Sequence, residues 1–176
     1  VALKFNGNNN NCVITTLHFK DNYNKYQTIQ EELYNQAYLF SAPSGTGKST
    51  HTNLWLKEFK DAYILNDDKP AIIFKDNTLY AAGTPFSGKH DISKNLLVPI
   101  KGICFIERSL NNWIKEISSK QAIFEILNQT ERIPYENDMT LILSHIENIV
   151  KNTKIYKMGC NISIDAVYTS YNKMSE

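Results

Sequence analysis

The stretch LFSAPSGTGKSTHTNLW, residues 39–55, decides how the chain is read. Apolar residues run up to Ala42, a Pro/Ser/Gly loop follows, and Thr52, Trp55, Leu56 and Phe59 then recur at helical spacing. Strand, glycine-rich loop and helix, in that order, is the setting in which backbone N–H groups and a helix N-terminus bind phosphate. Gly45 and Gly47 permit the tight loop and a close approach of the backbone. Lys48 is then placed to reach the β- and γ-phosphates, and Ser49 to hold magnesium through its hydroxyl. The expected nucleotide contacts are Ser44, Gly45, Thr46, Gly47, Lys48, Ser49 and Thr50. Ala42 stands where the usual pattern starts on glycine, but the run S-G-x-G-K-S is intact. The competing reading is a glycine-rich turn that matches by chance, and the flanking strand and helix argue against it. His51 and Trp55 are expected to pack, or to touch a base and neighbouring loops.

The next apolar run, AYIL (62–65), ends at Asn66-Asp67-Asp68, and Asp67 follows Ser49 by 18 residues. That gap fits one helix and a short strand. A neighbouring parallel strand would deliver both carboxylates to the sheet edge that carries the loop. Magnesium on a nucleotide takes one or two carboxylates, so Asp67 and Asp68 are metal candidates beside Ser49. A carboxylate not fully used by metal can orient or deprotonate an attacking hydroxyl, which makes Asp68 the candidate base. An ordinary Asn-Asp turn before Pro70 is the alternative.

A second stretch, GTPFSGK (83–89), repeats the spacing of a phosphate loop but is followed by His90 instead of a hydroxyl residue. The apolar run NLLVPI behind it is cut by Pro99, so any helix there is expected to be short. It fails the context that the upstream copy meets. Gly83, Ser87, Gly88 and Lys89 are then read as a second anion contact, the alternative being a solvated loop lysine. Lys69 and Arg108 are further cations, for which surface ion pairs are expected.

The rest of the chain supports one α/β domain over residues 1–176 with a mixed sheet. VALKF and CVITTLHF read as a hairpin across the Asn-rich turn, and AIIF and TLYAA as another across Asp76-Asn77. IKGICFIE (100–107) is the most strand-like segment. Ser118 with Gln121 resembles a capping box ahead of AIFEILNQ, and Met139, Ile142, Leu143, Ile146, Ile149 and Val150 mark an amphipathic helix. KIYKMGCNI and SIDAVYTSY close the chain as strand and helix.

Composition narrows the function. With 42% apolar and 21% charged residues the chain is globular, and 19 basic against 18 acidic residues give no electrostatic case for nucleic acid. No apolar run approaches membrane-spanning length and no signal peptide is visible, so no membrane partner is expected. Val1 in first position fits a trimmed N-terminus. Cys12, Cys104 and Cys160 are scattered and odd in number, which fits reduced thiols in the cytoplasm and no zinc site.

SAPSGTGKSTHT followed closely by LNDDKPA resembles the HPr kinase/phosphorylase and ATP-dependent phosphoenolpyruvate carboxykinase superfamily, most strongly over residues 36–108. The close acidic pair carries the resemblance, because S-G-x-G-K-S is shared with many P-loop proteins. The resemblance implies a mixed-sheet P-loop domain, ATP and Mg2+ as cofactors, and phosphoryl transfer to a serine hydroxyl or a small carboxylate-containing substrate. It implies phosphate binding by Lys48, magnesium at Ser49 and Asp67, and Asp68 as base. Lys89 resembles the carboxykinase lysine that meets the transferring phosphoryl group, a catalytic role beside Lys48 and Asp68. Kinases that modify lasso-peptide precursors are similar in scale, which makes a peptide or protein serine the expected acceptor. A homo-oligomer is implied by the HPr kinases. The histidine those enzymes carry ahead of the loop has no counterpart in KYQTIQEEL, and His18 lies further upstream. A nucleotide-binding sensor without transfer activity and a small-molecule kinase are the other readings.

Overall fold

Alternating β-branched and aromatic residues set the strands, and the computed structural model describes residues 12–19, 36–86, 91–129 and 136–176. Strand β1 (Cys12–Phe19) precedes β2 (Ala37–Pro43), helix α1 (Lys48–Glu58) and β3 (Ala62–Asn66). A hairpin of β4 (Ala71–Lys75) and β5 (Thr78–Ala82) leads to the long β6 (Leu97–Arg108) and the short β7 (Trp113–Glu116). Helices α2 (Ser119–Gln129) and α3 (Glu136–Asn152), strand β8 (Lys154–Cys160) and helix α4 (Ile164–Ser175) complete the chain. The described residues form an α/β fold on an eight-stranded mixed sheet.

β6 is the axis. It pairs in parallel with β2 on one side and with β8 on the other, while its first residues, Leu97–Pro99, pair antiparallel with β5. β7 closes the β8 edge antiparallel. β1 lies between β2 and β3 and is antiparallel to both, so β3 runs parallel to β2. The carboxyl ends of β2, β3, β6 and β8 therefore share one edge of the sheet. β3 was expected beside β2, and the intervening β1 corrects that. The direction of β3, which is what brings the acidic residues to the loop's edge, is as expected.

One further expectation needs correction. NLLVPI supplies no helix, because Leu97–Ile100 open β6, and Pro99 sits near the strand's start opposite Tyr80, where a missing N–H is tolerated. WIKE (113–116), too short to stand out in sequence, is strand β7. VALKF and the Asn-rich turn lie outside the described residues.

Each face of the sheet buries its own core. Leu39, Leu65, Ile103, Phe105 and Ile155 point to one face, where Ala122 and Ile126 of α2 and Ile142, Ile146 and Ile149 of α3 cover them. Tyr38, Phe40, Cys104, Ile106, Tyr156 and Met158 point to the other, against Trp55 of α1 and Ala166, Val167 and Met174 of α4. Local signals agree with this packing. Asp76 and Asn77, at φ 48° and 60°, make the left-handed turn of the β4–β5 hairpin. The Ser118 hydroxyl accepts the Gln121 N–H at 3.4 Å, and the Gln121 side chain accepts the Ser118 N–H at 3.4 Å, a capping box at the head of α2.

Candidate functional site

The loop after β2 turns because its glycines adopt what other residues avoid. Gly45 and Gly47 have φ of 79° and 117°, and a Cβ built on either meets nothing within 4 Å. Backbone conformation, rather than crowding, therefore requires glycine at both positions. Ala42 is not among the positive-φ residues and ends the buried part of β2, which is why a side chain is accepted where the usual pattern has glycine. Thr46 N–H donates to the Pro43 carbonyl at 3.2 Å, closing the turn.

Lys48 begins α1, is 6% exposed, and its Nζ donates to the Ala42 carbonyl at 3.1 Å. Its ammonium is thereby folded over the loop. Ser44, Ser49 and Thr50 are exposed at the loop and the first turn of α1, Thr46 half-buried between them. No acidic residue occupies that first turn, so the partial positive charge of the helix end is not offset there by a side chain of its own helix.

Asp67 and Asp68 follow β3 at the same edge, Asp67 buried and Asp68 half-buried. Burial is the main influence on Asp68 and raises its carboxyl above the usual carboxylate range; Lys69 opposes that, Asp67 adds to it, and Lys48 opposes it. The Lys48 and Asp67 charges are thus both within electrostatic reach of Asp68. Loop and acidic pair converge.

A buried amide orients the pair. Asn66, fully buried, accepts the Asp68 N–H at 3.0 Å through Oδ1 and donates through Nδ2 to the Thr84 carbonyl at 3.1 Å. Thr84 Oγ1 donates to the Lys69 carbonyl at 2.6 Å and accepts the Phe86 N–H at 3.2 Å. Asp67 N–H donates to the Ile92 carbonyl at 3.2 Å. The first half of GTPFSGK is therefore laced to the acidic turn. Gly83 also has a packing reason, since a Cβ there would lie 2.0 Å from the Lys94 carbonyl oxygen. Ser87, Gly88 and Lys89 lie outside the described residues.

Arg108, expected in a surface ion pair, instead donates to the loop: Nε to the Thr46 carbonyl at 3.2 Å and Nη2 to the Gly45 carbonyl. Asn66 and Thr84 were not read from the sequence as parts of a site, and Arg108 was read only as a further cation, not as a partner of the loop's carbonyls. The asparagine ahead of the two aspartates was the available signal for the first; the others sit in ordinary turn and strand-end sequence.

Beneath the loop, His51 is 3% exposed and sits edge-on to Phe40 at 4.9 Å between ring centroids. The Trp55 indole donates to His51 Nε2 and Ser170 Oγ, each at 3.1 Å. Ser170 Oγ also lies 3.2 Å from His51 Nε2, and the buried Nδ1 has no hydrogen-bond partner among the described residues. Burial lowers the His51 pKa to about 4, which keeps the ring neutral. The pair packs, as expected, and does so against α4. His18 pairs with Ala37 at the start of β2, the end of that strand away from the loop.

Among the described residues no group of three His, Cys, Asp or Glu side chains is placed to hold a metal alone. A groove of about 450 Å³ between β7, β8 and α2 lies on the opposite face from α1, and Lys157 within it pairs with Glu107 at 3.3 Å and Glu125 at 3.1 Å. Those charges satisfy one another. No family model matches the chain, and no curated protein matches it. No helix among the described residues is long and apolar enough to cross a membrane.

Proposed function

We propose that the chain is a cytosolic ATP- and Mg2+-dependent phosphotransferase of the HPr-kinase-like, P-loop type, acting on a hydroxyl acceptor, a serine of a peptide or small protein. The observation that carries the reading is the meeting of two pieces at one sheet edge: a left-handed glycine loop feeding Lys48 into a helix, and Asp68, whose carboxyl feels the charge of that lysine. Backbone N–H groups of the loop and the α1 N-terminus would bind the β-phosphate, and Lys48 would exchange its Ala42 carbonyl for phosphate oxygens. Ser49 and Asp67 would hold the magnesium, which screens the phosphate charge as it develops. Asp68, with a carboxyl that burial has made more basic than usual, suits removal of the acceptor's proton as its oxygen attacks the γ-phosphorus and ADP leaves.

The test is transfer from labelled ATP with magnesium to serine-containing peptides. Lys48→Ala is expected to abolish nucleotide binding, and Asp68→Asn to cut transfer by on the order of a hundredfold or more while sparing most of the binding. Lys89→Ala is expected to leave ATP affinity nearly unchanged and to slow transfer strongly. ATP binding without transfer to any hydroxyl acceptor would instead make the chain a nucleotide sensor. Transfer to small hydroxyl compounds but not to peptides would make it a small-molecule kinase.

A further inference from the structure

The geometry points to Arg108 as the positioning residue that holds the glycine loop in its anion-ready shape, without itself touching phosphate. The inference rests on the phosphate-binding reading of that loop. Arg108 is the last residue of β6, whose neighbour in the sheet is β2, so the guanidinium rises from the strand beside the loop's own strand. It spends two donors on consecutive carbonyls, those of Gly45 and Thr46. A trans peptide is planar, with its N–H opposed to its C=O. Holding the Gly45 oxygen therefore fixes the Thr46 N–H, which closes the turn on Pro43, and holding the Thr46 oxygen turns the Gly47 N–H to the side away from Arg108.

The need for such a hold follows from the loop itself. Gly45 and Gly47 have no Cβ contact to restrain them, and glycine is the residue with the most freedom to lose. A loop of this kind, left alone, would spend much of its time with amides turned elsewhere, and binding would be weakened by the fraction of loops that are ready. A planar guanidinium with fixed donors suits two adjacent carbonyls; an ammonium, a single point charge, does not reproduce the pair.

Two measurements decide it. In nucleotide-free protein, hydrogen exchange at the amides of Thr46 and Gly47 is expected to accelerate at least several-fold in Arg108→Ala, with the amides of β6 and β8 unchanged as a check on folding. ADP and ATP affinities are then expected to fall by the same factor, on the order of tenfold, with Arg108→Lys recovering little and added guanidinium ion recovering much of the loss. A fall confined to ATP would mean that Arg108 meets the γ-phosphate, and unchanged exchange would mean that it holds nothing; either overturns the inference. If the wild-type protein bound neither nucleotide, the phosphate reading would fall, while the exchange data would still judge the hold on the loop.

Discussion

At the scale of single residues, Asp68 carries the clearest consequence. Its carboxyl titrates above the ordinary range chiefly because it is buried, with Asp67 adding to the effect. A carboxyl raised on folding favours the native state when protonated, and that contribution is lost as pH rises through its folded value. At neutral pH the ionised group therefore destabilises the fold. Asp68→Asn should raise the melting temperature at about pH 7 and lose that advantage at about pH 2, well below the pKa of an unfolded aspartate, where the carboxyl is protonated in both states. Equal melting temperatures at neutral pH would show that Asp68 is not strained by its surroundings. Residue identities such as Gly45, Gly47, Lys48 and the aspartate pair were legible in sequence because their spacing is set by backbone geometry. Arg108 was named only as a further cation; its hold on the loop was not legible, since those bonds join positions 62 and 63 residues apart and no local pattern encodes such a meeting.

Among the elements, α1 is held by its underside. Trp55 is fully buried and stacks with Tyr38, Phe40, Phe59 and Tyr171 at centroid separations of 5.2–5.8 Å, so the helix that carries Lys48 rests on an aromatic bed shared by β2 and α4. Trp55→Ala is expected to cost about 3–5 kcal/mol of stability by denaturant unfolding. The His51 bond to that indole adds a pH dependence. A histidine whose folded pKa falls from 6.5 to about 4 lends stability that is complete above the unfolded value and is lost as pH falls towards the folded one. Between about pH 6.5 and pH 4 the wild type should lose stability that His51→Phe keeps, and the Trp55 fluorescence should change over the same acid range as the neighbouring imidazole becomes charged. Helical periodicity announced Thr52, Trp55 and Phe59 as an inward face. It did not announce Ser170 as a partner, because α4 meets α1 only after the chain has crossed the sheet.

For the molecule as a whole, the four parallel strands end at one edge, and this convergence brings the glycine loop, the acidic turn and Arg108 to the same end of the sheet. A ligand that binds the native state alone stabilises it by mass action, about 2.7 kcal/mol at a hundred times its dissociation constant. ATP with magnesium should therefore raise the melting temperature of the wild type and leave that of Lys48→Ala unmoved. A shift that survives in Lys48→Ala would place the nucleotide elsewhere. The layer order and the shared edge were legible as a fold class from alternating strand and helix patterns. The strand order was not, because β1 has no sequence mark that says it will slide between β2 and β3.

That placement of β1 has a consequence for how the molecule comes together. The glycine loop and the acidic turn hang from strands that never pair with each other and are joined only through β1, which binds one along each side. Without β1 there would be a slot one strand wide between β2 and β3. Closing that slot takes β1 pairing on both sides, with Ala37–Pro43 of β2 and Ala62–Asn66 of β3. The separation of glycine loop and acidic turn is therefore set by the seating of β1 between the strands that carry them.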